Sequence, residues 1–255
     1  MKFNDELMSL DYLIFSSHKT ATQTLVKTLR NNGYNCIHCH VLNNIGMQNG
    51  TFESYTNEYY LKHKKKINII TVFRDPIERH ISSFFQWYGT KPIRDKDVDS
   101  ELDTIIYKKT VIELQNKLFD EINNKTLVGQ EESIEQICNE LKIEIDDLNY
   151  DFEKNYGLYE NERVRLYIFR FDILIKRIDS LLTQITCKKI LRHSSNKSST
   201  KWYFDIYSEF IGSINIPHEI ITKVYFSRRD LIELFYSESY ESILNKALIK
   251  YGNMT

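Results

Sequence analysis

Apolar residues along this chain alternate between two rhythms over roughly the first 90 positions. Tyr12-Leu-Ile-Phe15 is a short continuous apolar run of the buried-strand kind, and it leads into the polar turn Ser16-Ser-His-Lys-Thr20. After the turn, Ala21, Leu25, Val26 and Leu29 recur at helical spacing. Gly33 stands where a glycine ends a helix in the left-handed conformation. Tyr34 to Val41 predicts a second strand, and Ile67 to Phe73, rich in β-branched side chains, a third.

A helix is predicted next, because Asp75 suits its N-cap, Pro76 its first position and Glu78 the third, the pattern of a capping box. Ile77, Ile81, Phe84 and Phe85 give it a face to bury. From about residue 90 to 160 the chain is charged but helically patterned, as at Ile134, Ile137, Cys138 and Leu141, which predicts a helical insertion. Arg163 to Phe171 alternates as a strand near a sheet edge does. A helix through Ile173 to Leu182, a Ser-rich loop from Arg192 to Thr200, and helices from Trp202 and Arg228 close the chain. Strands alternating with helices predict an α/β fold on a mainly parallel sheet. Three prolines, eight glycines and no low-complexity linker predict a single domain over residues 1–255.

Composition narrows the function. At 42% hydrophobic the chain can bury a substantial core. Lys plus Arg number 34 against 35 Asp plus Glu, so a net charge of -1 gives no global pull toward nucleic acid or an acidic membrane. Any anion chemistry must come from a local site. The run Tyr12 to Phe15 is far too short for a signal or membrane-spanning segment, which predicts a cytoplasmic protein with no transmembrane segment.

Cys36, Cys39, Cys138 and Cys187 are too sparse for a disulfide framework. Cys36-x-x-Cys39 with His38 and His40 raises the question of zinc. A strand there puts Cys36, His38 and His40 on one face and Cys39 on the other, and no second Cys/His pair follows at finger spacing, so no metal is expected. Lys62-His-Lys-Lys-Lys66 reads as a solvated helix end able to attract an anionic polysaccharide rather than as a nucleic-acid patch.

Two local anion sites do emerge. A turn between a strand and a helix gathers unpaired backbone N–H groups at the positive end of the helix dipole. In His18-Lys-Thr-Ala-Thr-Gln-Thr24 that turn adds an ammonium and three hydroxyls. It lacks the G-x-x-x-x-G-K-[ST] spacing of a nucleoside-triphosphate loop. Farther on, Arg74 ends a strand and Ser82 lies eight residues later, about two helical turns, so both can face one anion.

The first turn, Lys19-Thr-Ala-Thr-Gln-Thr24, resembles the 5′-phosphosulfate loop of sulfotransferases that use PAPS (3′-phosphoadenosine 5′-phosphosulfate). That pattern runs Lys-[Ser/Thr]-Gly-Thr-[Thr/Ser], and Ala21 takes the place of the glycine. Arg74-Asp-Pro-Ile-Glu-Arg79 with Ser82 resembles the same family's 3′-phosphate site, Arg-[Asp/Asn]-Pro-x-x-Arg-x-x-Ser, with Asp75 and Arg79 read as capping and helix-surface residues. His193-Ser-Ser-Asn-Lys197, Lys201-Trp-Tyr203 and Leu234 to Glu238 are similar to sulfotransferase-like capsular-polysaccharide proteins with an Asn-Lys-Trp-Tyr signature. Here Ser198, Ser199 and Thr200 split that signature.

The resemblance implies a P-loop-like three-layer α/β fold, PAPS as donor and PAP, its desulfonated product. It also implies a saccharide or polysaccharide acceptor. Lys19, Thr20, Ala21, Thr22, Gln23 and Thr24 then bind the 5′ side of the donor, Arg74 and Ser82 its 3′-phosphate, and Asn196 and Lys197 a closing loop, with Trp202 against the base. Trp202 and Tyr203 read equally well as core aromatics.

Sulfuryl transfer needs a base for the acceptor hydroxyl and a cation for the leaving phosphate. Lys19 is the expected cation. Heparan-type sulfotransferases place a glutamate just after the second strand as base, and here His40 lies at about that distance from Lys19. His38 points to the same side and is the second choice, with Glu53 and Glu58 as fallback carboxylates. A nucleotide-dependent kinase and a non-catalytic donor-binding protein of polysaccharide assembly are the competing readings.

Overall fold

The computed structural model describes residues 5–40, 51–94 (side chains to 86), 110–127, 132–193 and 203–252. The chain divides into two compact units, Met1–Arg74 with Glu131–Asn196, and Asp75–Gln130 with Lys197–Thr255.

The first unit is built on a mixed six-stranded sheet of order β2-β1-β3-β6-β5-β4. Its strands are β1 (Tyr12–Phe15), β2 (Cys36–Cys39), β3 (Ile67–Phe73), β4 (Tyr150–Asp151), β5 (Tyr156–Glu160) and β6 (Val164–Arg170). The first four in that order run parallel, with Ile14 between His38 and Ile70; β5 and β4 turn back antiparallel. Four helices belong to this unit: α1 (Thr22–Asn31), α2 (Phe52–His63), α5 (Ser133–Leu141) and α6 (Phe171–Thr186).

Alternation along the strands sorts the side chains between two covered faces. On one, Ile14, Ile70, Val72, Tyr167 and Phe169 pack with Leu25 and Leu29 of α1 and Leu174, Ile178 and Leu181 of α6. Helices α2 and α5 pack against β3 on the other. Tyr55 and Tyr59 of α2 donate to the carbonyls of Leu7 and Leu10 ahead of β1. Gly33 ends α1 as expected. With φ 85° it closes a Schellman motif in which the Tyr34 amide donates to Leu29 O and its own amide to Arg30 O.

The second unit contains α3 (Pro76–Arg94), α4 (Val111–Asn124), α7 (Phe204–Ser213), α8 (His218–Phe226), α9 (Arg229–Phe235) and α10 (Tyr240–Gly252). Phe84 and Phe85 meet Phe210, and Phe85 also meets Tyr203 and Tyr207. Asp75 caps α3 by accepting from the Glu78 amide at 2.9 Å. The Glu78 carboxylate pairs with Lys250 at 2.7 Å. Tyr225 and Tyr251 also donate to Asp75. Burial holds its carboxyl above the usual carboxylate range, against the lowering effect of the Glu78 amide and Tyr225.

Two expectations are corrected. The stretch near 90–160 is not wholly helical, since β4 and β5 lie in it and α5 is part of the covering layer of the sheet. Nor does β6 lie near an edge, because it pairs with β3 on one side and β5 on the other. Its charged positions misled. Arg165 is held by Glu160 at 2.9 Å and Arg170 by Asp172 at 2.7 Å, so both half-buried guanidinium groups fit an interior strand. Among the described residues no helix is long and apolar enough to cross a membrane.

Candidate functional site

The strand order gives the site its position. The order in which strands are added reverses at β1, since β2 adds on one side of it and β3, parallel to both, on the other. In an open parallel sheet the crevice at the carboxyl ends of such strands is where ligands bind. The turn Ser16–Ala21 leaves β1 at that point, and Arg74 follows β3.

Lys19 (φ 65°) and Ala21 (φ 63°, ψ 21°) both adopt the left-handed conformation. For non-glycine residues this costs roughly 1–2 kcal/mol each. Such backbone turns direct amides into one concavity, the geometry that receives anions. Ala21 is also the N-cap of α1 and makes no side-chain cap bond. The position where the resembled pattern carries glycine is therefore one where this backbone needs left-handed geometry.

Several hydrogen bonds hold the turn. Ser16 Oγ accepts from the Val72 amide at 3.0 Å and lies 2.7 Å from Thr20 Oγ1, which donates to Ser17 O at 2.6 Å. Arg74 Nη1 donates to Lys19 O at 2.9 Å, with its guanidinium 4.2 Å above the Phe171 ring. At about 1 kcal/mol per bond, these ties are of the same order as the strain.

The predicted residues are thereby partly reassigned. Thr20 is fully buried and its hydroxyl serves the turn instead of facing an anion. Thr22 and Thr24 are also buried, while Gln23 is exposed and meets His38. Arg74 supports the turn through Lys19 O. Ser82 lies half-buried on α3, in the second unit. Asn196, Lys197 and Trp202 lie outside the described residues. Tyr203 is a buried aromatic beside Phe85, as its core reading has it. Arg79, expected on a helix surface, is instead 1% exposed.

Three imidazoles stand beside the turn. His40 Nδ1 lies 2.6 Å from Ser16 O, its ring stacks on His18 with centroids 3.8 Å apart, and His38 approaches it edge-on at 5.3 Å. A carbonyl only accepts, so Nδ1 of His40 carries the proton and Nε2 is the basic nitrogen. His38 Nε2 lies 3.2 Å from the Gln23 amide nitrogen, an arrangement suited to neutral imidazole. Burial, then His40 and Arg30, hold His38 below the ordinary imidazole range.

Cys36 Sγ faces α1, 3.6 Å from Val26 O. Burial pushes the Cys36 thiol up to about 11 and that of Cys39 to about 12, so both remain thiols near neutral pH. Among the described residues no group of three or more His, Cys, Asp or Glu is placed to hold a metal ion. The fallback Glu53 pairs with Lys142 at 3.3 Å and Arg163 at 3.9 Å, and Glu58 lies on the same helix, α2.

Sequence reading missed the support behind the turn. Ser17 N donates to Ser133 Oγ and Ser133 N to Ser17 Oγ, each at 2.9 Å. Ser17 Oγ also lies 3.2 Å from Glu132 Oε1. Partners 116 residues apart leave no local signal. Neither protein-family models, nor curated proteins, nor solved structures give a match to this chain.

Proposed function

We propose that the chain is a cytoplasmic PAPS-dependent sulfotransferase that places a sulfuryl group on a saccharide hydroxyl. The observation that carries this reading is a single junction. The left-handed turn at Lys19 and Ala21 opens α1 at the strand-order reversal, and His40 beside it is oriented by Ser16 O. A P-loop-like identity of the sheet belongs to the same proposal. The saccharide acceptor follows from the resemblance to the capsular-polysaccharide proteins.

In this reading the acceptor oxygen attacks sulfur in line with the leaving 5′-phosphate. A new S–O bond forms as the S–O bond to the phosphate breaks. Nε2 of His40 takes the acceptor's proton. Charge growing on the phosphate is met by Lys19 and by the amides at the start of α1. PAP and the sulfated sugar are the products.

Calorimetric titration with PAP, ATP and GTP, followed by transfer of radiolabelled sulfate from PAPS to polysaccharide fragments, tests the proposal. PAP binding with label transfer supports it. Binding of ATP or GTP but not PAP points to a kinase. PAP binding without transfer to any hydroxyl acceptor leaves a donor-binding protein.

A further inference from the structure

The bonds between Ser17 and Ser133 are reciprocal, each residue's amide donating to the other's hydroxyl at 2.9 Å, and all four groups are buried. Ser133 Oγ also lies 3.1 Å from Thr71 Oγ1 on β3. Glu132, 3% exposed, approaches Ser17 Oγ at 3.2 Å and the Ile134 amide at 3.5 Å. The Ser17 hydroxyl can donate to Glu132 Oε1 at 3.2 Å or to Ser133 Oγ at 3.1 Å. The Ser17 oxygen is left to accept from the Ser133 amide, and the Ser133 proton is available to Thr71. Ser17, Glu132, Ser133 and Thr71 thus form one buried chain of hydrogen bonds.

The network meets the turn two residues before Lys19, the first of its left-handed positions, while Arg74 holds the Lys19 carbonyl itself. Two of the three points where the chain passes between the two units lie close to residues that hold this turn: Arg74 where it first leaves the first unit, and Glu132 and Ser133 just after it returns. We propose that Ser133, with Glu132 beside it on Ser17 Oγ, is a positioning residue that holds the Ser17–Ala21 turn in its anion-receiving conformation before ligand arrives. The inference rests on the sulfotransferase reading for the identity of the ligand. It rests on the hydrogen bonds alone for the order of the turn.

The test compares wild type with Ser133→Ala, Glu132→Gln and Tyr55→Phe. The last removes a buried hydroxyl bond within the same unit, Tyr55 to Leu7 O, between two residues that are not part of the turn. Amide hydrogen exchange over residues 17–23, PAP affinity and melting temperature are measured on each. Ser133→Ala is expected to speed exchange in the turn and weaken PAP, each about tenfold, because it leaves a buried amide without its acceptor. Glu132→Gln should do the same to a smaller degree, about threefold, and carries the test if Ser133→Ala does not fold. Tyr55→Phe should lower only the melting temperature. Wild-type exchange and PAP affinity in whichever of the two folds would overturn the proposal. If the wild type itself fails to bind PAP, the sulfotransferase reading falls, and the exchange comparison alone decides whether Ser133 orders the turn.

Discussion

His40 Nδ1 lies 2.6 Å from the carbonyl oxygen of Ser16, the first residue after β1, so the backbone of the turn fixes the tautomer of the imidazole beside it. In the neutral ring Nε2 is then the nitrogen that can receive a proton. His40→Ala is expected to leave PAP affinity within a few-fold of wild type and lower the rate of sulfuryl transfer about 10²–10⁴-fold. Single-turnover rates with PAP titrations check this. An active variant would move the role to His38, whose own nitrogen faces Gln23.

Lys19→Ala should lower kcat more than it weakens donor binding, because the leaving phosphate gains charge only as the bond to sulfur breaks. Backbone amides of the turn retain part of the ground-state affinity. A change confined to the donor KM would make Lys19 a binding residue only.

Arg74→Ala should weaken PAP more than adenosine 5′-phosphosulfate, which has no 3′-phosphate. Both ligands lose whatever the Arg74 bond to Lys19 O contributes to the turn. Equal losses for the two would mean that Arg74 acts through the turn alone and would remove it from the 3′-phosphate site.

Ala21→Gly removes the left-handed strain of roughly 1–2 kcal/mol and restores backbone freedom to the unfolded chain worth roughly 0.5–1 kcal/mol. The net expectation is unchanged or slightly higher stability, by up to about 1 kcal/mol. The same change at Ala247, buried inside α10, should cost about 1 kcal/mol or more. Denaturant midpoints of both variants check the contrast. Comparable losses at the two positions would contradict the left-handed assignment of Ala21.

His80 is buried on α3, and desolvation, with the charges of Arg79 and Arg228, pushes it down to about 3. In the unfolded chain it titrates near 6.5. Between these values the unfolded state binds the extra proton, so stability falls on acidification from 6.5 toward 3, by up to about 1.4 kcal/mol per pH unit from this group. His80→Leu should flatten that part of the curve of stability against pH. A slope unchanged in the variant would assign the acid sensitivity to other groups.

What could be read from sequence alone was local. The strands Tyr12–Phe15 and Ile67–Phe73 appear with the bounds their largely apolar runs suggested, because such runs suit strands covered on both faces. Gly33 ended α1 because a left-handed C′ residue is a property of a few neighbouring residues. The presence of Lys19 in the turn, of His38 and His40 at the end of β2 and of Asp75-Pro76 at the start of α3 was legible for the same reason.

Tertiary structure decided the rest. Strand β5 shows no regular alternation, with half-buried Tyr156, buried Gly157, exposed Leu158, half-buried Tyr159 and exposed Glu160, so its pairing with β6 and β4 marks it as a strand. Arg165 and Arg170 looked like edge residues until Glu160 and Asp172 supplied their partners. At the turn, sequence determined which groups are present, and long-range pairing decided what they do. Thr20 was drawn inward by Ser16 and Ser17, Arg74 was placed on Lys19 O, and the backbone was tied to Ser133. A left-handed alanine or lysine has no local propensity to favour it, so its conformation persists only where distant hydrogen bonds over-determine it.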